Sequence, residues 1–222
     1  MGTCKRFFAI SGLLLALPAR AAEPAPATLD TVQVQVAKVH AVADFDLPAS
    51  TTTLDTDGNG RGALISEALV GVPGLLARER QNHAQDTQLS IRGFGARSTF
   101  GVRGVRLLVD GIPATMPDGQ GQLSHFNLMG AERVDVLRGP FSALYGNSSG
   151  GVLQLWSADG QHGDPWRLRT SYGSNNSIST GVQLKGQAAA MHYNVAANHC
   201  RTDGWRDHSA ARRESLNARL GF

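Results

Sequence analysis

Several short motifs in this 222-residue chain hold residue types able to do chemistry, and spacing decides what each can do. Gly146-x-Ser148-x-Gly150 has the form of a serine-hydrolase nucleophile motif. A nucleophile elbow needs a strand before the serine and a helix after it. Here a helical turn at residues 142–145 precedes it and a strand at 151–156 follows, so the order is reversed. Asp55-x-Asp57-x-Asn59-Gly60 starts like a calcium loop, but position twelve is Ser66, and Glu67 misses that position by one. A polar turn before a helix accounts for the same residues. After Gly93 and Gly95, Ser98 stands where a dinucleotide fingerprint needs glycine. The histidines have no H-x-x-x-H or H-E-x-x-H spacing, and Cys4 and Cys200 form no metal-type pair. These patterns predict neither an enzyme nor a protein-held metal or cofactor.

The elements around these motifs read as β structure. Short apolar runs (Leu89 and Ile91; Val105, Leu107 and Val109; Val134 and Val136; Val152, Leu153 and Leu155) are separated by Gly, Pro and Arg. That pattern predicts a small mixed sheet with glycine-rich connections. Strands are expected at 51–54, 88–93, 105–110, 131–137 and 151–156, with helical turns at 123–129 and 142–145. Leu64/Ala68 and Ile65/Leu69 are i,i+4 pairs, so 63–70 should form a short helix that Gly71 and Pro73 stop. After residue 157 the chain changes to long alternation. Trp166, Leu168, Thr170 and Tyr172 oppose Arg167, Arg169 and Ser171, and three similar segments follow. Apolar-out, polar-in segments of about 9–11 residues suit transmembrane β-strands. A soluble, half-buried antiparallel sheet shows the same period. The short connection at 187–189 and the longer one at 201–213 fit periplasmic turns and external loops.

Composition agrees. With 26 glycines, 41% hydrophobic and 18% charged residues, turn-rich β structure is favoured over a helical bundle. A net charge of +3 without a run of basic residues argues against nucleic acid as a partner. Residues 1–21 read as a signal peptide: Lys5 and Arg6 precede an apolar stretch at 7–17, and Ala19-Arg20-Ala21 fits a cleavage site. The alternative is an N-terminal anchor. Cleavage would leave Cys200 as the one thiol. Residues 22–50 have the composition of a flexible linker. Within it Val32, Val34 and Val36 alternate with polar residues, as in a segment that adds itself to another protein's sheet edge. A disordered tail with a chance repeat is the alternative.

In this order, the features resemble the TonB-dependent outer-membrane receptors. LSIRGFGARSTFGVRGVRLLVDGIP (from Leu89) and AERVDVLRGPFSALYGNSSGGVLQL (from Ala131) carry most of the likeness. ALVGVPGLLAR (from Ala68) resembles the family's step from helix to strand, and Asp203-Gly204-Trp205-Arg206 an element after its third barrel strand. The resemblance assigns LYGNSSGG to a glycine turn, where glycine supplies positive φ, rather than to a nucleophile. It implies an α+β plug domain at 51–158, a small mixed sheet with short helices. The first antiparallel strands of a transmembrane β-barrel, about four of them, would follow at 164–222.

The same resemblance makes Asp30, Thr31, Val32, Gln33 and Val34 a TonB box that recruits TonB in the periplasm. Location in the Gram-negative outer membrane, with lipid around the strands, is implied as well. The gap before the plug is too short for an additional N-terminal signalling domain. Three loops would form the plug apices that touch ligand: Arg80, Gln81, Asn82 and His83; Arg97, Ser98, Thr99, Phe100 and Arg103; and Met116, Asp118 and Gln120. Cations and amides beside an aromatic suit an anionic iron chelate, though ordinary solvated loops carry such residues too. Arg92, Glu132, Arg133 and Arg138 would lock plug to barrel, since a guanidinium stays charged and grips a carboxylate with two hydrogen bonds. A local Arg–Glu pair inside the plug is the alternative.

The implied function is energised uptake of a scarce nutrient, a ferric siderophore first. Haem, cobalamin, copper or a saccharide are alternative ligands, and a non-transporting exported binding module is an alternative class. Four strands cannot close a barrel, because an open edge in lipid leaves backbone groups unsatisfied. Set against a family barrel of about 22 strands, the expectation is an N-terminal portion of a longer receptor. Its arginines would then be solvated or re-paired locally, and it would not transport alone.

Overall fold

Among the described residues, the short apolar runs at 105–109 and 151–155 lie where strands are covered on both faces. The computed structural model describes residues 33–34, 42–43, 50–56, 64–80, 85–139, 141–161, 163 and 166–222, all in one unit, Val32–Phe222. In order these form β1 (Gln33–Val34), β2 (Val42–Ala43), β3 (Ser50–Asp55), α1 (Ile65–Ala68), β4 (Leu75–Arg78) and β5 (Gln88–Ile91). Next come β6 (Val105–Val109), β7 (Ile112–Pro113), a 3-10 turn (Leu128–Gly130), β8 (Ala131–Arg138), α2 (Ser142–Tyr145) and β9 (Gly151–Ser157). The last four are β10 (Arg167–Gly173), β11 (Ser177–Ala188), β12 (Met191–Thr202) and β13 (Ala211–Gly221). The expectations for the signal peptide, for Asp30, Thr31 and Val32, for Asp57 and Asn59, and for Gln81, Asn82 and His83 lie outside the described residues.

The main sheet has the order β3-β8-β9-β6-β7, with β6 and β9 parallel and the other pairs antiparallel. One face buries Val105, Leu107, Val134, Val136, Leu153 and Leu155 against Ile65 of α1, Leu69 just after it, Leu89 and Ile91 of β5, and Phe126. The other face buries Leu108, Leu137 and Val152 under Phe141. Each fully buried Leu or Val contributes about 1.5–3 kcal/mol, so these central strands hold the domain.

The helices are shorter than expected. α1 is a single turn, closed by Leu69 N–H to Ile65 O at 3.1 Å and stopped by Gly71 at φ 90°. Of the turn expected at 123–129, only Leu128–Gly130 is helical, with the Asn127 side chain accepting from Met129 N–H at 3.0 Å. β7, at a place where no strand is expected, joins the sheet edge through Ala114 N–H to Leu107 O and the Leu108–Pro113 and Val109–Ile112 pairs. β4 pairs with β5 in a separate two-stranded sheet.

β10 to β13 form an antiparallel meander of 7, 12, 12 and 11 residues. Its two faces differ in a decisive way. The polar face is the covered one, with Gln183 at 1% and Asn194 at 4% exposure, while Leu216 and Leu220 on the opposite face are 73% and 64% exposed. A soluble half-buried sheet would show the reverse, so the alternation is that of strands facing lipid outward. No described helix is long and apolar enough to cross a membrane, which leaves crossing by strands untouched. The β11–β12 turn is two residues long, with Ala189 at φ 54°, and β12 connects to β13 through 203–210.

Candidate functional site

Three loops meet at one end of the main sheet, and their own side chains hold them together. Arg80, after β4, donates from Nη1 to Thr99 O at 2.6 Å and from Nη2 to Ser98 O at 2.8 Å. Arg103 donates to Gln120 Oε1 at 3.0 Å, joining the second loop to the third. Asp86 closes the ring, accepting Thr87 N–H at 2.9 Å and Leu123 N–H at 2.5 Å. The backbones also approach closely: a Cβ at Gly101 would stand 2.5 Å from Gly121 O, and φ there is 63°. Glycine is therefore required.

This apex presents a mixed cationic and apolar surface. Phe100 and Met116 are 66% and 64% exposed, and Arg97 and Arg103 are exposed beside them. Arg80 is less available than its type suggested, because its guanidinium is spent on two carbonyls. Asp118 is exposed and bonds within its own loop, accepting Gln120 N–H at 3.0 Å. Asn147 was missed: its side chain lies against Gly119 of the third loop, where a Cβ would meet Asn147 Nδ2 at 2.0 Å. The only signal for it was its place in the LYGNSSGG turn. Below the apex, burial pushes the Asp86 carboxyl above its ordinary value and pulls His125 below its own, with Asp86 and Arg213 acting on His125 as smaller opposing charges.

The four locking candidates separate. Arg138 is buried at 6% exposure, donating to Pro73 O at 2.6 Å, Thr51 O at 3.2 Å and Thr52 Oγ1 at 2.6 Å. It is re-paired locally, with neutral oxygens in place of a carboxylate. Burial first, and then the nearby Arg92 charge, lower its pKa. Arg92 itself is exposed, at φ 49°, with its N–H on Gly74 O at 2.8 Å. Arg133 pairs with Asp135 at 3.3 Å and lies 5.2 Å over the Trp156 ring, so the intra-plug pair is to an aspartate. A bulge between Ala131 and Arg133 turns Glu132 outward into a cleft shared with Asp159, Arg167 and Lys185.

The bonds that join plug to strands come from residues the sequence did not single out. Asn194 on β12 donates from Nδ2 to Gly130 O at 2.8 Å and Ala158 O at 2.9 Å, and accepts from Gln183 Nε2 at 3.1 Å. Arg219 on β13 donates to Ser157 O at 3.2 Å and Asp159 Oδ1 at 2.5 Å, and stands 3.9 Å from Asp110 Oδ2. Asp110 also accepts Ser157 N–H and Oγ–H, both at 2.8 Å. Gly130 packs so closely that an added Cβ would lie 2.8 Å from the Ala196 Cβ. Beside these contacts a seam cavity of about 100 Å³ is lined by Asp110, His125, Asn127, Asn217 and Arg219. Alternation had put Asn194 and Arg219 on the polar face without saying what they would meet.

Ser148 is fully buried, its hydroxyl donating to Gly146 O at 3.3 Å between α2 and β9, a geometry no incoming substrate could reach. Among the described residues no group of His, Cys, Asp or Glu is placed to hold a metal ion.

A glycine-rich mixed sheet, tied at its apex and seated against strands that turn their apolar side outward, defines a plug domain against a barrel wall. Residues 43–152 match the family model of the TonB-dependent receptor plug domain, and that stretch is a plug domain of this kind. The ferrioxamine receptor of Yersinia enterocolitica is 32% identical over 118 residues, covering 51% of this chain and 16% of that receptor. The pyoverdine outer membrane receptor FpvA of Pseudomonas aeruginosa shares the fold, with a TM-score of 0.64, 18% identity, and coverage of 81% of this chain and 26% of that one. The ferric yersiniabactin uptake receptor FyuA of Yersinia pestis gives a TM-score of 0.54 at 20% identity, over 78% of this chain and 28% of that one. The chain thus spans about a sixth of the length of the curated relative and about a quarter of these structures.

Proposed function

We propose that this chain is the plug-bearing part of an outer-membrane receptor that takes up a ferric siderophore with energy delivered by TonB. The observation that carries the reading is the bonded apex, which offers Arg97, Arg103, Phe100 and Met116 on one surface. Guanidinium groups pair with the oxygens of an anionic chelate, and an aromatic face adds contact area and cation attraction. The name of the 32%-identical relative, a ferrioxamine receptor, supports the ligand class. Gln120 and Arg103 act together, since one positions the other. Gln81 and His83 belong to the same proposed surface.

In this reading the segment from Asp30 to Val34 recruits TonB by strand addition in the periplasm. Gln33 and Val34 are paired with Ala43 and Val42, and that short ladder must open first. Ligand seated at the apex stays above the plug until a pull on the N-terminal segment remodels it. Arg92 and Arg138 are anchored on the neighbouring carbonyls of Gly74 and Pro73, and the positive charge of each favours an approaching carboxylate. That proximity supports their role in locking the plug to barrel wall beyond the four described strands, whereas Glu132 and Arg133 serve the near side.

The test is uptake of radioiron-labelled ferric siderophores by iron-starved cells that lack the gene and carry it back as wild type or Val32→Pro. Wild type should restore uptake and surface binding; Val32→Pro should restore binding alone. Unchanged uptake in the variant rules out the box, and restoration with none of the ferric chelates rules out the ligand class.

A further inference from the structure

Strand β3 is held in an unusual way. It is an edge strand with β8 as its one partner, and its sequence, STTTLD, places a single apolar side chain, Leu54, against the core. Its backbone pairs with β8 over all six residues, and side-chain hydrogen bonds add to that ladder. Thr53 donates to Asp135 at 2.9 Å, and Arg138 reaches Thr51 O and Thr52 Oγ1. The same guanidinium bonds Pro73 O at 2.6 Å, in the bend between α1 and β4. One side chain therefore ties the beginning of β3 to two other parts of the plug.

That arrangement is costly as static architecture. The guanidinium is buried among neutral oxygens, and its Nε has no hydrogen-bond partner among the described residues. Apolar side chains of similar volume often stabilise such a site as well or better. Hydrogen bonds differ from apolar burial in how they fail. They end within roughly 1 Å of displacement, whereas apolar contact is lost gradually with area. Position matters too: Ser50 pairs with Arg138, so a pull travelling along the chain from residues 30–34 reaches the sheet where Arg138 holds it.

We propose that Arg138 is a mechanical latch on β3, the contact that must break before a pull on the N-terminal segment can strip this strand from the plug. The role rests on the energised reading above and adds to any lock with a barrel wall. Latched, β3 completes the sheet beside β8. Unlatched, it leaves β8 exposed as a new edge, and the α1–β4 bend loses its anchor.

Single-molecule pulling on the whole chain in detergent micelles tests this. Cys4→Ser and Cys200→Ser remove the native thiols, and handles are attached at Val32→Cys and Phe222→Cys. At a fixed load Arg138→Gln should make the first rupture about tenfold to a hundredfold faster, since bonds from a charged donor are lost. Arg138→Lys, which cannot span Thr52 and Pro73 together, should fall between. Thr52→Val removes one acceptor and keeps Arg138, so it reports even where Arg138→Gln folds poorly; a few-fold acceleration is expected. With the first handle moved to Ala96→Cys, the pull loads the plug beyond β3 and Pro73, and the variants should rupture like the parent. Equal acceleration in both geometries would make Arg138 a general stabiliser and overturn the latch, as would no change in the first. Because the handle replaces TonB, this result is separate from the energised reading. That reading is tested by binding of a TonB C-terminal domain to the chain, and absence of binding overturns it alone.

Discussion

Replacing Asn194 with Ala should loosen the plug from its strands by about 3–5 kcal/mol, and the structure shows where that figure arises. Three hydrogen bonds vanish together: two from Nδ2 to Gly130 O and Ala158 O, and one accepted from Gln183. A typical bond contributes about 1 kcal/mol net, but a buried group left without a partner costs about 1–3 kcal/mol. Gly130 O is protected, because Ala158 N–H still donates to it at 3.0 Å. Gln183 is not, since its Oε1 already has no partner among the described residues and the side chain is 1% exposed. Asn194→Asp is the sharper variant: it keeps the volume but points a carboxylate oxygen at two carbonyls, so it should cost at least as much as Ala. The assay is urea unfolding of the chain in detergent, followed by Trp156, whose indole N–H donates to Asp135 at 2.7 Å inside the plug. Hydrogen exchange at residues 157–160 gives the local readout. A loss below about 1 kcal/mol in both variants, without faster exchange there, would refute the view that Asn194 joins the two parts.

The pH dependence has a sign that can be worked out. Burial lowers His125 from 6.5, so the unfolded chain takes up that proton first as pH falls. This contribution is complete above 6.5 and is lost below it, and His125→Phe should flatten the urea midpoint in that window. Asp86 acts oppositely. Burial raises its carboxyl above 3.8, the folded chain holds the proton more tightly, and stability from this group falls as pH rises through the window just above 3.8. Asp86→Asn, which can still accept from Leu123 N–H, should therefore raise the midpoint near neutrality and remove that slope; a lower midpoint with the slope intact would refute the assignment.

What the sequence could reveal was decided by the range of the interactions. β6, β8 and β9 were legible because short apolar runs such as Val105, Leu107 and Val109 are set apart by Gly, Pro and Arg, and β11 to β13 because alternation persists over eleven or twelve residues. β7 was not, since two residues with a proline carry no period of their own and pair only because β6 is there. Arg97, Phe100 and Arg103, like Met116, Asp118 and Gln120, stand outside helices and strands as expected. That Arg80 spends its charge on Ser98 and Thr99 depends on how the loops approach each other, which no local pattern encodes. Arg138 could be seen as an arginine at a strand end before Gly139. Its burial and its oxygen partners come from Thr51 and Pro73, which are 87 and 65 residues distant in sequence.

Long-range bonding also separates the plug into parts with different duties. Asn194, Arg219 and His192 hold backbone oxygens of Gly130, Ser157, Ala158 and Gly160, all near the start of β8 or the end of β9. Arg138 stands at the other end of β8, seven residues from Ala131, which at strand rise is roughly 23 Å away. The two attachments share no partner, so their energies should be independent. Combining Asn194→Ala with Arg138→Gln should give the sum of the single losses to within about 0.5 kcal/mol in the same urea assay. Coupling above about 1 kcal/mol would mean that β8 transmits strain between them and that the plug yields as one body. Additivity would mean that a pull entering at Ser50 can remove β3 while Asn194 and Arg219 keep the other half of the plug on its strands.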